Sequence, residues 1–271
     1  MDNTLIQKYE VLKRELGTKR RLAVAFSGGV DSTFLLYAAK EALGDKVIAI
    51  TARSPMFPKA ESDETVEFCK NHGIRQIVFE ADELSIEGFS DNPPNRCYLC
   101  KKSLFSDMLK IAEDEGMFLL SEGTNLDDEG DYRPGLMALK ELNIYSPLRQ
   151  LAFTKKEIRE LSKVLGLPTW EKPSYACLAS RIPYGETIDK TKLNLIEKAE
   201  RYLMDQGFKE VRVRIYGTVN ARIELNPNDF SRFMRADVRL TVNEVFRSMG
   251  FAYVSLDLIG YRSGSMNEVL S

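Results

Sequence analysis

The chain has 271 residues, 44% hydrophobic and 29% charged, with a formal net charge of −2, the balance of a water-soluble protein of roughly two domains. No run approaches the ~18 apolar residues of a membrane span, and the charged opening MDNTLIQKYEVLKREL lacks the apolar centre of a secretion signal, so no membrane partner and a cytoplasmic location are expected. The near-neutral charge argues against a nucleic-acid partner, and a single histidine, His72, argues against histidine triads and multi-histidine zinc sites.

Apolar spacing at Leu5, Tyr9, Leu12 and Leu16 predicts an amphipathic helix ended by Gly17. RLAVAF then predicts a buried strand, Thr33 to Leu43 a helix closed at Gly44, KVIAITA a second strand, Lys59 to Asn71 a helix and RQIVFEA a third strand. After the proline-bearing loop SDNPPNRC, a helix is expected from about Tyr98 to Glu115, and MFLLSEG supplies a fourth strand. This alternation implies an α/β fold: a parallel sheet with helices on both faces. Beyond residue 143, IYSPLRQL reads as a short extended piece, TKKEIRELSKVLG as a capped helix and LPTWEKPSYACLASRIPYGE as irregular chain. From about Thr187 come a helix to Gln206, paired strands in KEVRVRIYG and NARIELN, a helical region reaching Met249 and a last strand, FAYVSLDL. These make a small C-terminal α+β domain with a parallel or mixed sheet. The expected domains are 1–185 and 186–271.

The motif SGGVDS, residues 27–32, sits where the first strand ends. A glycine-rich turn between strand and helix builds an anion cradle from unpaired N–H groups, and glycines let backbone approach closely. Ser27 and Ser32 add hydroxyls. A plain capped turn needs one such residue, and two adjacent glycines with three capping residues exceed that need. It is not the GxxxxGK[ST] loop, because no lysine follows. The motif resembles the pyrophosphate loop of the N-type ATP pyrophosphatases (adenine nucleotide α-hydrolase-like), which cleave ATP between the α and β phosphates. YSPLRQLAFTKKEIRELSKVLGLP is similar to a second segment of several members. The resemblance implies that Ser27, Gly28, Gly29, Asp31 and Ser32 hold pyrophosphate and that Asp31 helps position Mg2+. The strand ends from Thr51 to Ser54 and at Gly123 would flank the adenosine, outside the carboxyl ends of the strands.

Four cysteines are present, Cys69, Cys97, Cys100 and Cys177. In RCYLCKK the spacing puts Cys97 and Cys100 on one helical face, where the helix start with Arg96, Lys101 and Lys102 favours thiolates. Cys177 lies in the irregular SYACLASRIPYG. Spacing alone leaves four readings open: a structural zinc with Cys69 as fourth ligand, a CxxC redox pair, an iron–sulfur cluster with one open iron, and buried free cysteines. RCYLCKKSLF, EGTNLDDEGDYRPGLMAL, CLASRIPYG, VRVRIYG with ARIEL, and LDLIGYRSGSMNE together resemble the LarE family over nearly the whole chain. Its members are ATP-dependent sulfur transferases of nickel-pincer cofactor biosynthesis. They adenylate a carboxylate of pyridinium-3,5-biscarboxylic acid mononucleotide and deliver sulfur to it.

Within that family some members sacrifice the sulfur of the cysteine matching Cys177, and others bind a [4Fe-4S] cluster through three cysteines. Cys97, Cys100 and Cys177 match the second pattern, which implies a [4Fe-4S] cofactor beside ATP and Mg2+. The resemblance also implies a homo-oligomer, a small-molecule nucleotide substrate and a phosphate clamp at Arg212 and Arg214; a solvated strand face is the alternative for these arginines. The sulfide donor is left open. Arg181, four residues after Cys177, would steer an anionic substrate or form a structural ion pair. The acidic loop of Asp127, Asp128, Glu129 and Asp131, followed by Arg133, would recruit Mg2+ or stay solvated. Cys69 and His72 read as structural and Trp170 as packing. A sulfide is already nucleophilic, so no histidine base is needed. Two other functions stay open. One is tRNA 2-thiolation, to which the 13 Lys/Arg against 12 Asp/Glu beyond residue 185 lend no broad basic face. The other is a zinc-containing nucleotide-binding regulatory module.

Overall fold

Leu5, Tyr9, Leu12 and Leu16 form one buried stripe of α1 (Asn3–Gly17), as a spacing of three and four residues requires. The structure, a computed structural model, describes residues 3–130, 134–173, 176–262 and 264–270. The chain divides into two units, one of Met1–Glu83 and Cys97–Tyr175, the other of Leu84–Arg96 and Ala176–Ser271. Cys97 and Cys100 thus belong to the first unit, Cys177 and Arg181 to the second. Among the described residues no helix is long and apolar enough to cross a membrane.

In the first unit, β1 (Leu22–Ala25) leads into α2 (Val30–Leu43), followed by β2 (Val47–Arg53), α3 (Lys59–Asn71), β3 (Arg75–Glu80), α4 (Arg96–Asp114) and β4 (Leu120–Ser121). The strands are parallel in the order β3-β2-β1-β4. Alternate strand residues enter two cores. Leu22, Val24, Val47 and Ala49 pack with α1, α2 and Phe68 of α3. Ala23, Ala25, Ile48 and Ile50 pack with Phe105, Met108 and Ala112 of α4. Helices therefore cover both faces, and a strand hidden on both sides is written as the unbroken apolar run LAVA.

The unit continues with α5 (Pro134–Glu141), α6 (Pro147–Gln150) and α7 (Lys155–Val164). Two segments depart from expectation. MFLLSEG is paired as a strand only at Leu120 and Ser121, because the Met117 N–H instead donates to Ala112 O at the end of α4. IYSPLRQL is extended only at Tyr145, which bridges Ser121 in parallel. It then turns into α6, where Pro147 takes a first-turn position that needs no N–H.

The second unit contains α8 (Lys190–Asp205), β5 (Val211–Tyr216), β6 (Asn220–Leu225), α9 (Phe230–Phe233), α10 (Ala236–Met249) and β7 (Tyr253–Leu256). Its sheet is mixed: β5 and β6 are antiparallel, β6 and β7 parallel. Val211, Val213, Ile215, Ala221, Ile223 and Leu225 are buried, as are Leu193, Ile196, Ala199 and Leu203 of α8. Strand alternation sends Arg212, Arg214, Arg222 and Glu224 to the opposite face, with Arg212 opposite Glu224 and Arg214 opposite Arg222.

Leu12 has no exposed surface and belongs to the core that α1 shares with β1 and α2. Leu12→Ala is expected to lower the unfolding free energy by about 2–5 kcal/mol, read as a lowered urea midpoint.

Candidate active site

At the end of β1 the chain turns through Ser27, Gly28 and Gly29 into α2. Gly28 has φ +73°, and a Cβ there would stand 2.9 Å from Thr65 Cγ2, so both conformation and room demand glycine. Two hydroxyls brace the turn: Ser27 Oγ lies 3.1 Å from Ser32 Oγ, Gly29 N–H donates to Ser27 Oγ at 3.4 Å, and Ser32 Oγ donates to Gly29 O at 3.1 Å. Gly29 is the N-cap residue of α2, and no side chain caps that helix. Its first-turn N–H groups and partial positive charge therefore suit an anion. Gly123, just past β4, runs against the same turn. A Cβ there would meet Ser32 N at 2.9 Å and Asp31 C at 3.0 Å.

The expected adenosine-side residues have their own tasks in the first unit. The buried Thr51 hydroxyl donates to Phe26 O at 2.8 Å and accepts from Gln76 Nε2 at 2.8 Å, tying the end of β2 to the residue before the turn. Ser54 Oγ donates to Glu83 Oε1 at 2.6 Å and accepts from the Met56 N–H at 3.0 Å, which shapes the loop after β2. Glu83 is buried, and burial pushes its carboxyl above the ordinary range.

Asp31 lies in the first turn of α2, where its carboxylate is ion-paired with Lys155 and accepts from Asn125 Nδ2 at 3.3 Å. Burial raises the Asp31 carboxyl above its usual value, and the Lys155 charge opposes that shift. A half-buried carboxylate beside the first-turn N–H groups of a helix is by donor type a fitting Mg2+ ligand. On the other side of the turn Lys172 Nζ donates to Gly28 O at 3.2 Å. Lys155, Lys172 and Asn125 were not singled out by sequence reasoning; 124 residues separate Lys155 from Asp31, and no local spacing announces such a pair. Asp127 accepts from Lys155 N–H and Asp128 from Asn125 N–H, so these carboxylates cap backbone. Asp131 and Arg133 lie outside the described residues.

Cys97 lies in the first turn of α4 and Cys100 at the start of the second, Cys97 exposed and Cys100 half-buried; Cys177, also half-buried, immediately precedes a 3-10 turn in the second unit. Among the described residues, no three His, Cys, Asp or Glu side chains form a metal-ligating group. By donor type the three thiols suit iron–sulfur ligation. Within the second unit the residues leading to Cys97 are stapled to those following Cys177. Buried Asn92 donates from Nδ2 to Ile182 O at 3.0 Å and Pro183 O at 2.6 Å; its own carbonyl accepts from Gly185 N–H at 3.0 Å, and its Oδ1 accepts from Arg96.

Arg181 is wholly buried. Its Nε and Nη2 donate to Glu200, each at 2.9 Å, and its Nη1 donates to Ala176 O, Cys177 O and Ser180 Oγ. It therefore grips the backbone of the Cys177 segment. Glu200 also accepts from the Val213 N–H of β5 at 2.9 Å. Arg214 is buried, paired through Nε and Nη2 with Glu224 and donating to Ser180 O at 2.6 Å and Ser265 Oγ at 2.7 Å. Arg212 is buried with its guanidinium 5.0 Å from the Tyr261 ring centre. Burial and the neighbouring Arg181 charge lower its pKa. These arginines do not lie on a solvated strand face.

No protein-family model matches the chain. Over 269 residues, 99% of this chain, it is 38% identical to the pyridinium-3,5-bisthiocarboxylic acid mononucleotide synthase of Lactiplantibacillus plantarum, covering 96% of that protein. Over 268 residues it is 41% identical to an uncharacterized protein of Synechocystis sp., with 98% of this chain and 99% of the relative covered. A glutamine-hydrolyzing GMP synthase component of Methanococcus maripaludis is 31% identical over 178 residues, 60% of this chain and 55% of the relative.

Gly123→Ala would force the end of β4 off the start of α2, and ATP affinity measured by calorimetry is expected to fall about tenfold or more. Cys69 is buried in the first core, and burial pushes its thiol up to about 12. In metal-free native protein at pH 8, a thiol reagent is therefore expected to modify Cys97, Cys100 and Cys177 while Cys69 reacts only after unfolding.

Proposed function

The chain belongs to the LarE family, pyridinium-3,5-bisthiocarboxylic acid mononucleotide synthases of the pyrophosphate-loop ATP pyrophosphatase superfamily, and we propose that it is an ATP-dependent sulfurtransferase acting on pyridinium-3,5-biscarboxylic acid mononucleotide. The observation that carries this is the uncapped start of α2, held between Gly28 and Gly123 in a chain that also has the three cysteines.

ATP would lie with its β and γ phosphates on the Ser27–Ser32 turn and Mg2+ at Asp31. A substrate carboxylate oxygen attacks the α phosphorus, the bond to the β-phosphate oxygen breaks, and pyrophosphate leaves. The acyl adenylate then has a good leaving group where the carboxylate had none. Sulfur attacks the acyl carbon, and AMP departs with the original carboxylate oxygen. Ser27, Ser32 and the α2 N–H groups would hold the developing charge on pyrophosphate. Thr51 and Ser54 would set the strand end beside the adenosine. Arg181, gripping the carbonyls of Ala176 and Cys177, would position the sulfur-bearing segment. Arg212 and Arg214 would meet the phosphate of the substrate nucleotide.

We assign Cys97, Cys100 and Cys177 as the thiolates that would hold a [4Fe-4S] cluster, a reading supported by the CxxC at the start of α4 and by the family pattern of three cysteines. When bound, such a cluster supplies the transferable sulfur and spares Cys177. A second reading, in which Cys177 gives up its own sulfur, rests on Cys177 being a free thiol outside any disulfide.

Protein purified without oxygen separates the two. About four irons and four acid-labile sulfides per chain, with broad visible absorption, are expected for the cluster, and Cys97→Ala should abolish both. Iron-free protein that accumulates dehydroalanine at position 177 after one turnover would instead establish the sacrificial route. Pyrophosphate release that depends on the biscarboxylate substrate tests the activation step in either case.

A further inference from the structure

Two buried arginines of the second unit, Arg181 and Arg214, are each matched by a glutamate. Arg96, only 4% exposed, is not. Its Nη1 donates to Asn92 Oδ1, a neutral acceptor, and its guanidinium lies 4.6 Å from the ring centre of Tyr184. Among the described residues its Nε has no hydrogen-bond partner, and no carboxylate pairs with it. Arg96, Asn92 and Tyr184 all belong to the second unit.

A guanidinium keeps its proton in a protein, so burial cannot remove its charge. Taking such a charge out of water is strongly unfavourable unless an opposite charge offsets it. The Tyr184 face and the Asn92 oxygen, both partially negative, offset a part. The position adds to the cost. Arg96 is the first residue of α4, where a helix already carries partial positive charge, and the first turn of α4 contains no acidic residue. The more exposed Lys102, farther along α4, is by contrast ion-paired with Glu141. Two positive features thus coincide at one end of a 19-residue helix, and both call for an anion.

The chain itself offers the anion. Cys97 follows Arg96 directly, and Cys100 lies at the start of the next turn. Three thiolates exceed the charge of a doubly positive iron–sulfur core, so a centre held by them is an anion, and reduction makes it more negative. Net charge and outer hydrogen bonds are the levers by which a protein sets the potential of such a centre. Arg96 is also held in place. Asn92, which accepts its bond, is itself anchored through Nδ2 to Ile182 O and Pro183 O. A cation fixed in this way needs no rearrangement to meet a change of charge nearby.

We propose that Arg96 is the fixed counter-charge of the sulfur centre at the start of α4: a positioning residue that ligates no iron, but retains the anionic thiolate-held centre by its charge and sets how readily that centre takes up an electron. Its missing carboxylate is then a feature of the site, since an acidic partner would cancel the charge. This rests on the reading of the three cysteines as cluster ligands.

The test uses the full chain, purified without oxygen and reloaded with ferrous iron and sulfide, as wild type and as Arg96→Lys, Arg96→Gln and Arg96→Met. Lysine keeps the charge, glutamine keeps a donor for Asn92 without the charge, and methionine keeps only the bulk. The urea midpoint of each iron-free protein reports its fold. Folded neutral variants are expected to hold iron against a chelator about tenfold or more weakly than wild type. Their cluster midpoint potential should move to more negative values, because the reduced centre has lost its cation. Arg96→Lys should stay close to wild type in both. Folded neutral variants with wild-type potential and iron affinity would overturn the assignment alone. Weaker iron binding at an unchanged potential, an equal shift of potential in Arg96→Lys, or failure of both neutral variants to fold would also overturn it and make Arg96 a brace of the helix start. Wild-type protein that takes up no iron would overturn the cluster reading, and this assignment with it.

Discussion

The geometry of the first unit is governed by the contact between the end of β4 and the start of α2. The chain at Gly123 approaches the Ser32 N–H so closely that even a methyl group has no place there. That approach is available because β1 and β4 are adjacent in a parallel sheet, so both strands end at the edge where α2 begins. Thr51 adds the third strand end to the same place through its bond to Phe26 O. The two-sided core supplies the rigidity: with β1 and β2 packed from both faces, their ends have little freedom to drift. The anion site is therefore a property of the sheet edge, and the SGGVDS turn is the part of it most visible in one dimension.

The second unit follows a different logic, that of buried charge. Arg181, Glu200, Arg214 and Glu224 are all buried, and each is matched by an opposite charge or by backbone groups. Such pairs contribute little net stability, because desolvation offsets their attraction, but removing one partner costs several kcal/mol, roughly 3–5. They select one arrangement more than they strengthen it. Glu200 illustrates this by joining Arg181 to the Val213 N–H of β5. The backbone of the Cys177 segment, held by Arg181, is thereby registered against the strand that carries Arg212 and Arg214.

Much of this was legible in the sequence, for identifiable reasons. The stripe of α1, the parallel strands and the two-sided sheet follow from apolar periodicity, which survives in a single chain because burial is enforced at every repeat. The glycine turn was legible because its demands are local: Gly28 needs a left-handed conformation. The extent of the fourth strand and the helical turn at Pro147 were not, since both depend on how α4 and Tyr145 compete for the same backbone groups. Arg212 and Arg214 had the alternation of a solvated face, but burial of that face depends on elements such as the Ser265 segment, far along the chain. Lys155 and Lys172 were hidden for the same reason. A lysine on a helix start or in a turn reads as solvated until the fold brings Asp31 or Gly28 O to it.

The Asn92 staple bears on how the chain matures. Residues 84–96 interrupt the first unit, yet they belong with residues 176–271, and the chain crosses between units three times. A chain emerging from the ribosome completes the sheet of the first unit while residues 84–96 still wait for partners about 90 positions downstream. A fragment cut at residue 176 is therefore not the whole of the second unit. It would lack Asn92 and leave the carbonyls of Ile182 and Pro183 without their donor.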